Sequence, residues 1–293
     1  MSKSYYSLGL MSGTSGDGVD SSIVQSDGDI EYKVILDKYF KYSQDIYENI
    51  HFLKNKINTS IDLKNLSKEI DSLEKEITIF HAKAANKIIK EFKSNIDFIG
   101  FHGQTVYHNA KEKISKQLGD GKLLSRLTKK TVIYDFRQND LKNDGQGAPL
   151  TAKFHKLLAY KHKFKTPLTF LNIGGVTNLT HIDHLNNMSA WDVGPGNCLI
   201  DQWIRLNSKN RYDQDGKIAR SGKINKIVLN SALKNYSQIN SSGDRPKSYD
   251  VKDFDLSFVR GLSLEDGAAT LTEYTSKILT TRLRNTLVGE KSI

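Results

Sequence analysis

Short apolar runs separated by polar, glycine-rich turns fill the first forty or so positions. Residues 5–10 and 19–24 are such runs, and residues 32–37 form a third. Runs this short, with short turns between them, predict a three-strand meander. The period then changes. Leu63, Leu66, Ile70, Leu73, Ile77, Phe80, Ala84 and Ile88 recur at spacings of three and four. That period predicts a long helix with one apolar face. It also fits a coiled coil, but a single interrupted stretch flanked by strands favours a helix packed on a sheet. Residues 97–101 predict a short buried strand that runs into His102-Gly103-Gln104-Thr105-Val106-Tyr107-His108. Residues 131–136 predict another, residues 144–149 a loop that breaks the chain into halves, and residues 150–160 a helix.

The second half opens like the first. Residues 168–173 and 176–182 are apolar runs joined by Gly174-Gly175, with Asn172 and Asn178 on either side. A strand over 188–192 follows, then Val193-Gly194-Pro195-Gly196-Asn197, and then a helix over 198–207. Further helices are predicted within 223–236 and from Ser263, an N-cap with Asp266 three residues on, to about Asn285. Two strand–turn–strand units thus stand far apart, each opening a half. The repetition is of architecture, not of sequence. We set the two lobes at residues 1–131 and 132–293.

The chain has 293 residues, 38% hydrophobic, with a net charge of +10. The positive residues are mostly lysines interspersed with acidic ones, so a solvated surface explains the charge better than a nucleic-acid site. No apolar run of about 18 residues predicts a transmembrane helix. The N-terminus shows no signal-peptide pattern. Cys198 is the only cysteine. It excludes an internal disulfide, fits a reducing cytoplasm and reads as a small buried apolar residue.

The first turn carries the most chemistry. Gly13, Gly16 and Gly18 let the backbone bend and expose its N–H groups. Thr14 and Ser15 add hydroxyls, and such a nest of donors suits phosphate oxygens. Asp17 and Asp20 are carboxylates able to hold Mg²⁺. An ordinary glycine-rich hairpin is the bland alternative. No Walker A, Rossmann or kinase catalytic-loop pattern is present. Phosphates would therefore meet hairpin turns, one from each half, as in actin-like ATPases and sugar kinases.

The motifs, taken in order, resemble the 1,6-anhydro-N-acetylmuramic acid kinase family. They are residues 11–15 with Asp17, Gly18 and Asp20; residues 102–105; residues 135–137; and residues 145–150. They continue with residues 172–175 with Asn178, Asp192 with residues 194–197 and Asp201, residues 246–248, and residues 269–273. The resemblance implies an α/β, actin-like (ribonuclease H-like) two-lobed fold with mixed sheets. It implies a kinase that opens the sugar's anhydro bridge with water and phosphorylates the freed O6 from ATP with Mg²⁺. Asp192 would be the general base. Gly13, Thr14, Ser15, Gly16, Asp17, Gly18, Val19 and Asp20 would hold the nucleotide, with Asp17 on the metal. Gly174, Gly175 and Asn178 would form a second phosphate-facing turn.

Gln104 and Thr105 would face the sugar. Arg137 would bind its lactyl carboxylate, because guanidinium meets carboxylate in a planar fork. The structural alternatives are a turn or capping role for Asp192 and a surface ion pair for Arg137. His102 reads as a buried, hydrogen-bonded histidine rather than a metal ligand, and Asp201 as structural. Gly16 stands where the family usually has a larger apolar residue. Family members continue past the last predicted helix into a strand, a triple-glycine turn and more helices, so the second lobe is expected to be incomplete. The resemblance also implies a cytoplasmic homodimer acting on a small amino sugar, with neither nucleic acid nor membrane as partner. A catalytically inactive remnant that only binds sugar or nucleotide is the alternative.

Overall fold

The computed structural model describes residues 3–239 and 248–287. The chain divides into two compact units, Met1–Lys165 and Thr166–Ile293. In chain order the first holds β1 (Tyr5–Ser12), β2 (Gly18–Ser26), β3 (Tyr32–Lys41), α1 (Gln44–Lys56), α2 (Ser60–Asn65) and α3 (Ser67–Phe92). It continues with β4 (Phe98–Asn109), β5 (Ile114–Leu118), α4 (Gly121–Thr128), β6 (Thr131–Tyr134), α5 (Gln138–Lys142) and α6 (Ala152–Lys161).

The first unit is built on a six-stranded sheet in the order β3-β2-β1-β4-β5, with β6 also on β4. The long β4 pairs with β6 along its first half and with β5 along its second. β2 is antiparallel to both neighbours, while β1 and β6 run parallel to β4. β5 is antiparallel to β4, so the sheet is mixed, as the resemblance implies. Alternating residues Leu8, Leu10, Val19 and Ile23 are buried, as a half-buried pleated face requires. The apolar stripe of α3, with Ile70, Leu73, Ile77 and Ile88, joins them in one core.

The helical pattern beginning at Leu63 resolves into two helices. Thr59 and Asp62 form a capping box at the start of α2, and Leu66 (φ −102°, ψ 20°) breaks the helix before α3. The break at Leu66 has no side-chain cap; its N–H is taken by Asp62 O at 2.9 Å, and Leu66 O in turn starts α3 by accepting from Ile70 N. Helix α1 has no counterpart in the pattern, because its buried Ile46, Tyr47, Ile50 and Leu53 lie among charged residues.

The boundary also falls later than residue 131. β6 hydrogen-bonds to β4. Gln138 Nε2 donates to Ser115 O at 2.7 Å. Phe154 of α6 packs edge-on against Tyr32, whose carbonyl accepts from Lys161. These contacts tie the segment from 132 to the end of α6 to the first unit.

The second unit contains β7 (Leu168–Ile173), β8 (Val176–Ile182), β9 (Met188–Pro195), α7 (Cys198–Asn207), α8 (Lys217–Ser221), α9 (Lys226–Ile239) and α10 (Leu264–Leu287). Among the described residues its sheet is an antiparallel meander in the order β7-β8-β9. Leu199, Trp203, Ile204, Leu229, Val259, Leu271 and Ile278 make the helical core. Cys198 is buried, as its small apolar side chain predicts. Ser263 Oγ accepts from the Asp266 N–H at 3.1 Å, the expected cap of α10. Pro246 and Lys247 lie outside the described residues. Among the described residues no helix is long and apolar enough to cross a membrane.

Candidate active site

The first turn joins β1 to β2. Gly16 has φ +61°, a conformation that favours glycine, and its N–H closes the turn on Gly13 O at 3.1 Å. A Cβ at Gly16 would lie 2.9 Å from Ile50 Cγ2. The bulk that the family usually places in the turn is therefore occupied here by a buried side chain from α1.

Every carbonyl at the head of the turn is held from behind. Gln104 Nε2 donates to Gly13 O at 3.0 Å, Lys54 Nζ to Thr14 O at 2.7 Å, and His51 Nε2 lies 3.0 Å from Ser15 O. In a trans peptide the N–H points opposite its C=O. The N–H groups of Thr14 and Ser15 are thus turned away from these anchors, and they have no acceptor among the described residues. Paired outward N–H groups are what an anion needs.

Behind the turn lies a buried relay. Ser12 Oγ is 2.6 Å from Gln104 Oε1 and 2.9 Å from Gly18 O, and its one proton is shared between them. Tyr42 donates its hydroxyl to Ser12 Oγ at 3.1 Å, and burial pushes the Tyr42 pKa up, so it remains a donor. Gln104 is fully buried. Its amide Nε2 donates to Gly13 O and also to Thr105 O at 3.2 Å, so it braces the phosphate-type turn, a role the sequence did not suggest. Thr105 is half-buried and accepts from Gln117 Nε2 at 3.2 Å.

Ser15 Oγ donates to Asp17 Oδ1 at 2.5 Å. Partial burial, and then the charge of Asp17, raise the Asp20 pKa. A carboxylate whose charge is disfavoured by burial and a neighbouring carboxylate suits a cation beside it. Among the described residues no group of three or more acidic, histidine or cysteine side chains forms a metal cluster. A one- or two-carboxylate site fits Mg²⁺, which keeps waters and shares substrate phosphates. Val19 is a core residue, and Gly18 leaves room for the Phe40 carbonyl and the Tyr39 ring. These two support the turn from below.

Arg137 donates from Nε and Nη2 to His102 Nε2 at 3.2 and 2.9 Å, and from Nη1 to Gly147 O at 2.5 Å. These three bonds fix it against the first unit. His102 is buried, with Nδ1 2.8 Å from Gly103 O, as expected of a structural histidine. Burial, followed by the Arg137 charge, lowers its pKa to about 4. His102 is therefore neutral at physiological pH and accepts at Nε2.

In the second unit Gly174-Gly175 forms the β7–β8 turn. Gly174 O accepts from Asn197 N at 2.8 Å, and Gly175 O accepts from Gly196 N and Cys198 N at 3.0 and 3.1 Å. Asn178 does not belong to this turn. It lies within β8, directly across from Asn172 on β7 and Asp192 on β9. The three polar side chains thus form a row on one face of the sheet. Asp192 is 8% exposed and accepts at Oδ2 from the Tyr249 N–H at 2.7 Å. It sits inside β9, not at its end, because the strand runs on to Pro195.

The sequence reading missed His51, Lys54, Ser12 and Tyr42. Ser12 stands in the first motif but was given no role there; His51, Lys54 and Tyr42 fall in no glycine-rich motif, and only the packing of α1 and of the end of β3 against the turn brings them there.

A sequence model of the anhydro-N-acetylmuramic acid kinase family matches residues 5–291. The chain belongs to this family. It is 50% identical over 294 residues to the anhydro-N-acetylmuramic acid kinase of Pelagibacter ubique (strain HTCC1062), covering 100% of this chain and 78% of that one. Its identity to the Brucella canis (strain ATCC 23365 / NCTC 10854 / RM-666) kinase of the same name is 37%, covering 90% and 71%. To that of Agrobacterium fabrum (strain C58 / ATCC 33970) it is 35%, covering 92% and 72%. Among solved structures, the ethanolamine utilization protein EutJ from Carboxydothermus hydrogenoformans aligns with 95% of this chain and 82% of its own. It does so at 11% identity and a TM-score of 0.32, too low to bear on the fold.

Proposed function

We propose that this chain is an ATP-dependent kinase that hydrolyses the 1,6-anhydro bridge of anhydro-N-acetylmuramic acid and phosphorylates O6. The products are N-acetylmuramic acid 6-phosphate and ADP, in the recycling of cell-wall sugar. The observation that carries this reading is Asp192: a buried carboxylate, fixed by a backbone N–H, at the position where the family resemblance puts the general base. A carboxylate so held can take a proton from water within hydrogen-bond reach. Water attacks the anomeric carbon and its proton passes to Asp192. The C1–O6 bond breaks as O6 forms its bond to the γ-phosphorus, and the bond from that phosphorus to the β-γ bridging oxygen breaks to release ADP. Charge on O6 never has to accumulate.

The chain's own part in phosphoryl transfer is placement and charge balance. The Thr14 and Ser15 N–H groups receive phosphate oxygens, and Lys54 adds positive charge behind them. Asp17, with Asp20 close by, is the residue for Mg²⁺, which when bound neutralises phosphate charge. Gly174-Gly175 offers a second turn to the nucleotide. Arg137 takes the lactyl carboxylate. We place the enzyme in the cytoplasm, where ATP and a reduced lone cysteine belong. The inactive-remnant alternative finds no support in the comparisons, since the family model and the kinase relatives match along nearly the whole chain. The test is phosphorus NMR of the chain with ATP, Mg²⁺ and the anhydro sugar. A sugar-dependent phosphomonoester appearing with ADP is expected. ADP formed at the same rate without sugar would refute the reading.

A further inference from the structure

We propose that His102 is a positioning residue for Arg137, a neutral acceptor that fixes the plane and direction in which the guanidinium meets a carboxylate on the sugar. The inference rests on the kinase reading and deepens it. Four features of the backbone aim these groups. The pairing of β1 with β4 skips His102: Leu10 pairs with Phe101 and Met11 with Gly103. His102 is thus the extra residue of a β-bulge, a device that redirects a side chain. Gly103 has φ +72°, and a Cβ there would lie 2.4 Å from Leu118 O, so the bulge needs glycine. This bend brings Gly103 O within 2.8 Å of His102 Nδ1. That bond assigns the proton to Nδ1 and leaves Nε2 as an acceptor.

The opposite side of the guanidinium is also fixed. Nη1 donates to Gly147 O. Gly147 has φ +67° and packs on the buried Leu141, and its own N–H is held by Asp140 Oδ2 at 2.7 Å. Arg137 is therefore clamped between an imidazole acceptor on the Nε–Nη2 edge and a carbonyl on Nη1. A guanidinium so fixed has little freedom left to lose on binding a carboxylate, which is the benefit of preorganisation. A lysine in its place would keep the charge but not the fork.

The experiment compares wild type, His102→Leu, His102→Gln and Arg137→Lys by calorimetric binding of two ligands without ATP. One ligand is anhydro-N-acetylmuramic acid. The other is the same anhydro sugar without its lactyl group. His102→Leu is expected to weaken the carboxylate-bearing sugar by about tenfold and the other sugar by less than about twofold. His102→Gln, whose amide oxygen restores an acceptor, is expected to recover most of the loss. In the double variant His102→Leu/Arg137→Lys, binding should be no weaker than in Arg137→Lys alone, because the two residues act as one unit. With turnover, KM for the sugar should rise while kcat changes little. Equal loss for both sugars, no loss, or additive losses in the double variant would overturn the assignment. If His102→Leu does not fold by circular dichroism, His102→Met, which also lacks the ring acceptor, takes its place in the same two-sugar comparison. Wild type that turns over the sugar while the variants fail to discriminate sinks this inference alone. Wild type that binds neither sugar sinks the kinase reading with it.

Discussion

The two glycine turns look alike in sequence but are held in place differently. In the first, the carbonyls of Gly13, Thr14 and Ser15 are held by side chains from β4 and α1: Gln104, Lys54 and His51. In the second, the carbonyls of Gly174 and Gly175 are held by the backbone N–H groups of Gly196, Asn197 and Cys198. A turn braced by side chains can be loosened in steps by point substitution. A turn braced by backbone depends on close approach, and here on Gly196, whose Cβ would lie 2.2 Å from Gly174 O. The first turn therefore reads as adjustable, and the second as all-or-none.

The largest expected effect follows from that contrast. Gly196→Ala must push β7 off the start of α7 and should destabilise the second unit by about 3 kcal/mol or more, as overpacking against backbone does. Thermal unfolding followed by tryptophan fluorescence of Trp203, in that unit's core, checks it.

Acid should strike the first unit. Burial lowers the pKa of both His81 and His102 to about 4. The unfolded chain binds protons near pH 6.5 where the folded one does not. Stability from these neutral histidines is thus full above about pH 6.5 and is lost as pH falls towards 4, by up to about 3 kcal/mol for each. His81→Leu should flatten this dependence, because the buried His81 Nε2 has no partner among the described residues. Urea midpoints at neutral and mildly acid pH read it.

Smaller effects sharpen the picture of the first turn. Gln104→Leu removes the amide that links Ser12 to Gly13, leaves buried polar groups unpaired, and should cost about 2 kcal/mol of stability together with weaker nucleotide binding. Lys54→Met should leave stability within about 0.5 kcal/mol and raise KM for ATP several-fold. Equal sensitivity of the two turns to single side-chain changes would break the comparison.

Much of this was legible in the chain itself. The β1–turn–β2 and β7–turn–β8 units announce themselves by apolar runs ending in glycine, and α7 begins and ends where its apolar spacing says. What was not legible came from contacts distant in sequence. Gln104 reads as a ligand-facing residue because it neighbours a glycine in a polar motif; its bracing of Gly13 follows from the parallel pairing of β1 and β4. Asn178 reads as part of a turn, but a register shift between Thr177 and Asn178 sets it opposite Asp192. Helix α1 was hidden among charged residues, and with it the two side chains that brace the first turn. The segment from residue 132 to the end of α6, most of β6 included, packs with the first unit, and the pairing of β6 with β4 that holds it there leaves no local mark in the sequence.

The most direct measurement is the Asp192→Asn variant, assayed for sugar-dependent ADP release alongside calorimetric binding of the anhydro sugar. The amide is nearly the same shape but cannot take a proton from water. Turnover should fall by about 10²–10⁴-fold while sugar binding stays within about threefold of wild type. Turnover close to wild type in Asp192→Asn would contradict the account.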